Sequence, residues 1–329
     1  MLAINNTPSA GAGKRKFIDY FKGKNIGVFI AFIVLCIVLS IASPVFLKLD
    51  NILKLSRQAV WFAIMGFGMT FVIGMGGIDL SIGSTLAMCG LLLADMMLAG
   101  VNIYLAIVIV LLVGAFIGFI NGLIIAKVGI ADFIATLAVM SITRGLVMVY
   151  SKGLPIYGLR FPEFQFVGQG YLGPIPVPII WALMIMGICF YLMYRTKFGR
   201  YTLSIGSNAE AAKLVGINIP KIKIIVYSLM GLLAAAAGVI LTSRLEAAMP
   251  EAGEGYELDV IAATVIGGTS MAGGKASIIG TAIGALMMAT VRNGLNLLNV
   301  NTFWHQVVIG VIILIAVIID KLSTKSINR

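Results

Sequence analysis

Residues 103–126 read IYLAIVIVLLVGAFIGFINGLIIA, a run with no charged side chain. An α-helix rises 1.5 Å per residue, so about 20 apolar residues cross the roughly 30 Å of bilayer hydrocarbon. Within lipid every backbone N–H and C=O must be bonded inside the chain, and a helix does this over one segment. The run therefore predicts a membrane-spanning helix. Comparable apolar runs lie on both sides of it, at 26–46, 58–76, 82–99, 130–150, 175–194, 222–243, 258–270, 276–295 and 303–320. Ten runs predict an all-α, polytopic fold of about ten transmembrane helices. The runs at 258–270 and 276–295 are interrupted by Gly267, Gly268, Gly273, Gly274, Gly280 and Gly284.

Composition agrees. Of 329 residues 60% are hydrophobic and 11% charged, against about 25% charged in soluble domains. Too few charges remain to build a water-facing surface, so most of the outer face must meet lipid. A single membrane domain is expected over 26–320, between cytoplasmic tails at 1–25 and 321–329, with no room for a separate catalytic domain. Lys14, Arg15, Lys16, Lys22 and Lys24 precede a first run too long for a signal-peptide core, so that run is read as a retained helix. Cys36, Cys89 and Cys189 sit in apolar runs without metal-ligand spacing and read as small buried residues.

With the first residues in the cytoplasm and ten crossings, most of the 24 Lys and Arg fall inside. They include Lys127, Arg195, Lys197, Arg200, Lys213, Lys221, Lys223, Lys275 and Lys321. Fewer fall outside: Lys48, Lys54, Arg57, Lys152, Arg160, Arg244 and Arg292. This is the positive-inside bias, with both termini cytoplasmic. The net charge of +11 is thus a topology signal and gives no reason to expect nucleic-acid binding. Residues 151–174 form a long external loop, 195–221 the largest cytoplasmic loop, and 244–259 an external segment carrying Glu246, Glu251, Glu254, Glu257 and Asp259.

The cytoplasmic loop holds Ser207-Asn208-Ala209-Glu210-Ala211-Ala212-Lys213-Leu214-Val215-Gly216. Ser207 with Glu210 three residues later is a capping-box pattern, and Gly216 is a C-terminal stop. A short helix outside the bilayer follows. Its apolar Ala211, Leu214 and Val215 either pack on the protein itself or dock into a partner. Gly76-Gly77-Ile78-Asp79-Leu80-Ser81-Ile82-Gly83-Ser84 joins two runs, and Gly267-Gly268-Thr269-Ser270-Met271-Ala272-Gly273-Gly274 does so in the second half. Such paired breaks suggest an inverted repeat, spans two to five against seven to ten. Asp79 either caps the helix that follows or touches a transported solute.

Residues 268–275 resemble a phosphate loop but fail its spacing: Thr269 stands where the first Gly belongs, and Ala276 follows Lys275. No nucleotide site of its own is expected, so any ATP energy must come from another subunit. Asp95 and Arg144 lie inside apolar runs and are expected to pair if their helices are neighbours. His305 beside Trp304 reads as an interfacial residue rather than a proton relay. No catalytic set and no metal or cofactor site is expected.

Together these segments resemble the ribose-type permease family of bacterial ABC sugar importers. The likeness covers nearly the whole chain. It rests on Gly77-Ile78-Asp79-Leu80-Ser81-Ile82-Gly83-Ser84, Phe133-Ile134-Ala135-Thr136-Leu137, Arg144-Gly145 with Val149-Tyr150, and 196–216 with Phe198-Gly199-Arg200. Gly255-Tyr256-Glu257-Leu258-Asp259-Val260-Ile261-Ala262-Ala263, 265–275 and Asn293-Gly294-Leu295-Asn296-Leu297-Leu298 complete it. Lys221-Ile222-Lys223-Ile224-Ile225-Val226-Tyr227-Ser228-Leu229 is most like the ribose members. Gly129-Ile130-Ala131-Asp132 departs from a segment often Pro-rich in the family, and Ser207 stands where a second Gly is common.

The resemblance implies a permease in the bacterial inner membrane, paired with a second copy as a homodimer. It implies an ATPase subunit on the cytoplasmic face and an external sugar-binding protein that delivers a monosaccharide, with no cofactor of the permease's own. Residues 207–215 become the coupling helix that enters a cleft of the ATPase. By motif position, Asp79, Ser81, Glu257, Asp259, Asn293 and Asn296 become candidates for the pathway or its gates. An ion-coupled secondary transporter, using Asp79, Asp95 or Asp259, and a passive channel are the competing readings.

Overall fold

A computed structural model describes residues 24–327; the tail expected at 1–25 lies almost wholly outside them. The helices are α1 Lys24–Ala42, α2 Leu49–Gly74, α3 Ile82–Leu98, α4 Ile103–Leu123, α5 Asp132–Ser151, α6 Pro162–Gln169, α7 Val177–Arg195, α8 Lys197–Ser207, α9 Ala209–Leu214, α10 Ile219–Leu245, α11 Tyr256–Ile266, α12 Ile278–Leu297 and α13 Thr302–Ile327. Four two-residue strands make two small hairpin-like pairs: β1 Ile156–Tyr157 with β4 Ala247–Ala248, and β2 Tyr171–Leu172 with β3 Ile175–Pro176. The protein is all-α and polytopic. Among the described residues six helices are long and apolar enough to cross a membrane, α2, α4 with its π-helical extension to Val128, α5, α7, α10 and α12, and the runs at 26–46, 82–99 and 303–320 fall on shorter apolar helices.

Burial sorts these helices by role. In the apolar window of α2, 89% of residues are buried, against 22% in α4 and in α7. Apolar side chains that stay exposed in such helices can only be stable against lipid. α2 and α10 therefore form the centre of the bundle, and α4, α5 and α7 its lipid face.

Around that centre the two halves exchange partners. Along α10, α4 packs antiparallel: Gly114 meets Gly231 and Ala235, Gly118 meets the backbone of Tyr227, and Gly122 meets Ile224. α3 runs parallel to α10, with Leu86 at Gly238 and Gly90 at Thr242. Along α2, α12 packs antiparallel, with Gly66 at Thr281 and Gly74 at Ala276, and Thr70 and Thr281 share a hydrogen bond of 2.8 Å. α11 runs parallel to α2, with Phe62 against Tyr256 and Gly66 near Thr264. α2 and α10 touch where Gly68 meets Met230 and Leu233. Small residues let backbones approach at these seams, where lipid supplies no hydrophobic drive for helices to associate.

Two non-helical connections enter the bundle, 75–81 between α2 and α3 and 246–255 between α10 and α11. They bring Gly83 and Gly253 backbone to backbone; a Cβ on either would overlap the other's main chain. One end of the bundle gathers the end of α2, Gly206 and the 268–275 loop, where Gly274 N–H donates to Gly74 C=O at 2.9 Å. The other end gathers the β1–β4 pair and Glu246, which accepts from Gln165 and Gln169 and lies 3.5 Å from Arg160.

Several boundaries differ from those read in the sequence. The run at 58–76 starts at Leu49, because Asp50, Lys54 and Arg57 break hydropathy without breaking helix. The run at 258–270 is helical only over Tyr256–Ile266, ended by Gly267 and by Gly268 at φ 91°. Within the loop at 151–174, Pro162 starts the short helix α6. The last helix continues through Ile327 into the expected tail.

Candidate functional site

The segment singled out in the long loop does form a short helix, α9, but its cap is one residue later than the pattern suggested. Asn208 is the N-cap, extended at φ −162° and ψ 105°, and its side-chain oxygen accepts from Ala211 N–H at 3.0 Å. Ser207 is instead the last residue of α8, beside Gly274, so no Ser207–Glu210 box forms. Asn and Ser are comparable caps, and the backbone turns at Asn208. Gly216 ends the element as expected, with φ 83°. Ala212 is buried against the protein. Ala211, Glu210 and Lys213 are exposed, and Leu214 and Val215 are 89% and 77% exposed. The apolar tip thus projects away from its own fold.

The candidate pathway residues fall in separate places. Asp79 is buried in the 75–81 connection, where its carboxylate accepts from Ser81 N–H at 2.8 Å and Ser81 O–H at 2.7 Å. It therefore fixes Ser81, itself the N-cap position of α3, and does not cap the helix directly. Asn121 of α4 donates to the Ser81 hydroxyl at 2.8 Å. Beside this group, Tyr227 O–H lies 3.3 Å from Ile78 C=O and 2.9 Å from an Asp132 carboxylate oxygen. The sequence reading had not picked out Asn121, Asp132 or Tyr227; a lone Asn within the apolar run at 103–126 was the available signal.

At the other connection, Glu257 is half-buried with a carboxylate oxygen against Gly83. Asp259 is fully buried and paired with Arg292 at 2.5 Å. Arg292 was read only as an external charge; both residues border apolar runs, and intramembrane charges pair. Asn293 and Asn51 exchange amide hydrogen bonds at 3.0 and 2.8 Å. Asn296 is exposed and outside these groups.

The Asp95–Arg144 pair is not formed. Asp95 accepts from Tyr150 O–H at 2.6 Å, whereas Arg144 donates to the carbonyls of Pro250 and Ala252 at 2.6 and 3.0 Å. Both helices are neighbours, but α5 presents Arg144 to the 246–255 connection. Main-chain carbonyls there are acceptors that no side-chain pattern reveals. His305 has a ring nitrogen 3.3 Å from Val300 C=O, a local contact at the start of α13.

An apolar bundle with helix breaks buried at its centre and an exposed apolar tip outside it has the form of a membrane transport subunit. A family profile described as "Branched-chain amino acid transport system / permease component" matches residues 51–317. Over 299 residues the chain is 50% identical to the ribose import permease of Bacillus subtilis (strain 168), covering 91% of this chain and 93% of the relative. It is 44% identical over 301 residues to the ribose import permease of Haemophilus influenzae, covering 90% and 93%. It is 39% identical over 298 residues to the D-allose transport system permease of Escherichia coli (strain K12), covering 90% and 91%. No solved structure gives a significant match. The chain belongs to the ribose-type ABC permease family and is a multi-pass membrane permease.

Proposed function

We propose that this permease imports a ribose-like monosaccharide by alternating access, powered by a separate ATPase subunit that docks on α9. Two copies form the transporter, an external sugar-binding protein delivers the solute, and the sugar passes between the copies without a high-affinity site. In this reading the chain crosses ten times with both termini in the cytoplasm, α9 on the ATPase side and the β1–β4 end outside; the positive-inside bias supports it. The exchanged packing of α2–α5 and α10–α13 supports an inverted repeat within each copy, and the two copies rock so that the pathway between them opens to one side at a time. The family profile's description names branched-chain amino acids; the high identity to ribose importers over nine-tenths of the chain favours a sugar.

One observation carries the coupling role: Leu214 and Val215 are exposed at the C-terminal end of α9, whose start is capped by Asn208. Burying a Leu or Val side chain in a partner's cleft stabilises by about 1.5–3 kcal/mol, and nothing among the described residues covers them. The test is Leu214→Asp, assayed with the ATPase and binding protein reconstituted. Uptake should fall to background while the protein still inserts. Sugar-stimulated ATP hydrolysis at the normal rate in that variant would overturn the assignment.

A further inference from the structure

A groove with apolar walls runs between α2, α7 and α12. It holds about 200 Å³ and is lined by Ser56, Ala63 and Phe67 of α2, Ala182 and Leu183 of α7, and Leu286 of α12. Ser56 donates its hydroxyl to Ile52 C=O at 2.6 Å, so these walls offer a ligand no free polar side chain. Leu183 is 56% exposed and α7 belongs to the lipid face, so the groove opens toward lipid. From Ser56 to Phe67, α2 advances about 16 Å at 1.5 Å per residue. That is half of the roughly 30 Å of bilayer hydrocarbon, the depth of one leaflet.

Arg57 stands at the outer end of this groove, next to Ser56. Asp50, Lys54 and Arg57 are the charges of α2, and none follows them to Gly74. Arg57 therefore marks the level where headgroups give way to hydrocarbon. Its Nη2 lies 3.5 Å from Gln169 C=O, and its guanidinium lies 4.6 Å from the centre of the Tyr171 ring. Gln169 and Tyr171 belong to the segment that leads into α7, where Val177 N–H donates to Gly170 C=O at 2.9 Å. The guanidinium thus spans from one wall of the groove to the approach of the other. Yet Arg57 Nε has no hydrogen-bond partner, and no carboxylate among the described residues pairs with Arg57. Arg244, 4.8 Å from the Trp61 ring one turn along α2, adds a second cation without a carboxylate partner at this end.

These features specify an occupant. A small apolar cleft stays dry and takes up hydrocarbon. A helix of a second copy, about 10–12 Å across with its side chains, is too wide to enter it. The cation at headgroup level calls for an anion joined to the hydrocarbon, and a guanidinium pairs with phosphate through two parallel N–H···O bonds. A phospholipid carries both parts.

We propose that the groove is a phospholipid site, in which one acyl chain lies between α2, α7 and α12 and Arg57 holds the phosphate. The lipid fills the gap between the central helix α2 and the peripheral helix α7, and so fastens α7 to the bundle. The site itself stands without the import reading; only its place in the outer leaflet follows from the topology proposed above.

The test uses the assembled transporter, purified in detergent and stripped of lipid. Palmitoyl-oleoyl phosphatidylglycerol, whose phosphate is not offset by a headgroup amine, is titrated into it. Binding is read by native mass spectrometry and the thermal midpoint is followed in parallel. Diacylglycerol with the same chains and inorganic phosphate are titrated alongside. Phosphatidylglycerol should bind at one tight site per permease and raise the midpoint. Arg57→Gln should weaken that binding about tenfold, equivalent to 1.4 kcal/mol, and Arg57→Lys should weaken it less. Ala182→Phe, which fills the groove from half-buried α7 surface, should abolish it. Lys54→Gln, at an exposed cation one turn nearer the start of α2, should leave it unchanged, which separates a built site from general attraction to positive charge. The lipid-free variants should keep the wild-type midpoint; Ala182→Leu serves if the larger ring lowers it. No tight phosphatidylglycerol site, or one indifferent to Arg57→Gln or to filling the groove, would overturn the proposal. Equal binding of diacylglycerol would deny Arg57 its phosphate, and an equal shift with inorganic phosphate would deny the groove its chain. Dissociation of the permease pair by Ala182→Phe would overturn it in favour of a second copy covering the groove.

Discussion

Asn51 and Asn293 each donate to the other across α2 and α12 and are both buried. Removing one side chain strands the other amide, at a cost of about 1–3 kcal/mol. Asn293→Leu should therefore lower the thermal midpoint of the solubilised protein measurably. Asn51→Leu together with Asn293→Leu should recover part of that loss, because no orphan remains. A double variant that loses the sum of both single effects would deny the pair its role. At this scale the sequence was informative about which residues are costly to place in a membrane, but not about their partners. Asp259 drew attention as a charge beside an apolar run, yet its bond to Arg292 joins two helices and leaves no local pattern. Arg144 was matched to Asp95 by sign alone, whereas its acceptors are the Pro250 and Ala252 carbonyls.

Among the elements, α9 and the 246–255 connection do the mechanical work proposed here. Asn208→Ala removes the N-cap of a six-residue helix, a loss of about 1 kcal/mol that so short an element cannot absorb. Uptake should fall several-fold, with Asn208→Ser close to wild type; equal uptake in all three would show that cap geometry does not matter for coupling. The connection is bounded by left-handed residues, Glu246 at φ 52° and Gly253 and Gly255 at φ 74° and 77°. Arg144 ties it to α5. Charge-assisted hydrogen bonds contribute about 1.5–3 kcal/mol, so Arg144→Gln should shift the connection's open population about tenfold or more. Expected readouts are raised ATP hydrolysis without binding protein and reduced uptake, partly restored in Arg144→Lys; unchanged hydrolysis and uptake in Arg144→Gln would contradict the tie. Element existence was legible because long apolar runs admit only helices in lipid. Element ends were less so. Charged residues at the start of α2 hid its first turns, and a one-residue choice between two good caps displaced the start of α9.

At the scale of the whole molecule, helices of one half pack on the long helix of the other, so neither half is a separate body. Buried breaks at 75–81 and 246–255 meet at Gly83 and Gly253, where the absence of side chains lets main chains touch. The paired glycine breaks hinted at that architecture, but the exchange of partners is a long-range property that no motif spells out. The central claim is that solute movement draws its energy from outside this chain, through α9. It is tested most directly by reconstituting the purified permease in liposomes and following labelled ribose. With the ATPase subunit, the binding protein and ATP, ribose should accumulate inside above its external concentration; without the ATPase it should not, under any ion gradient. Accumulation against a gradient by the permease alone would contradict the account.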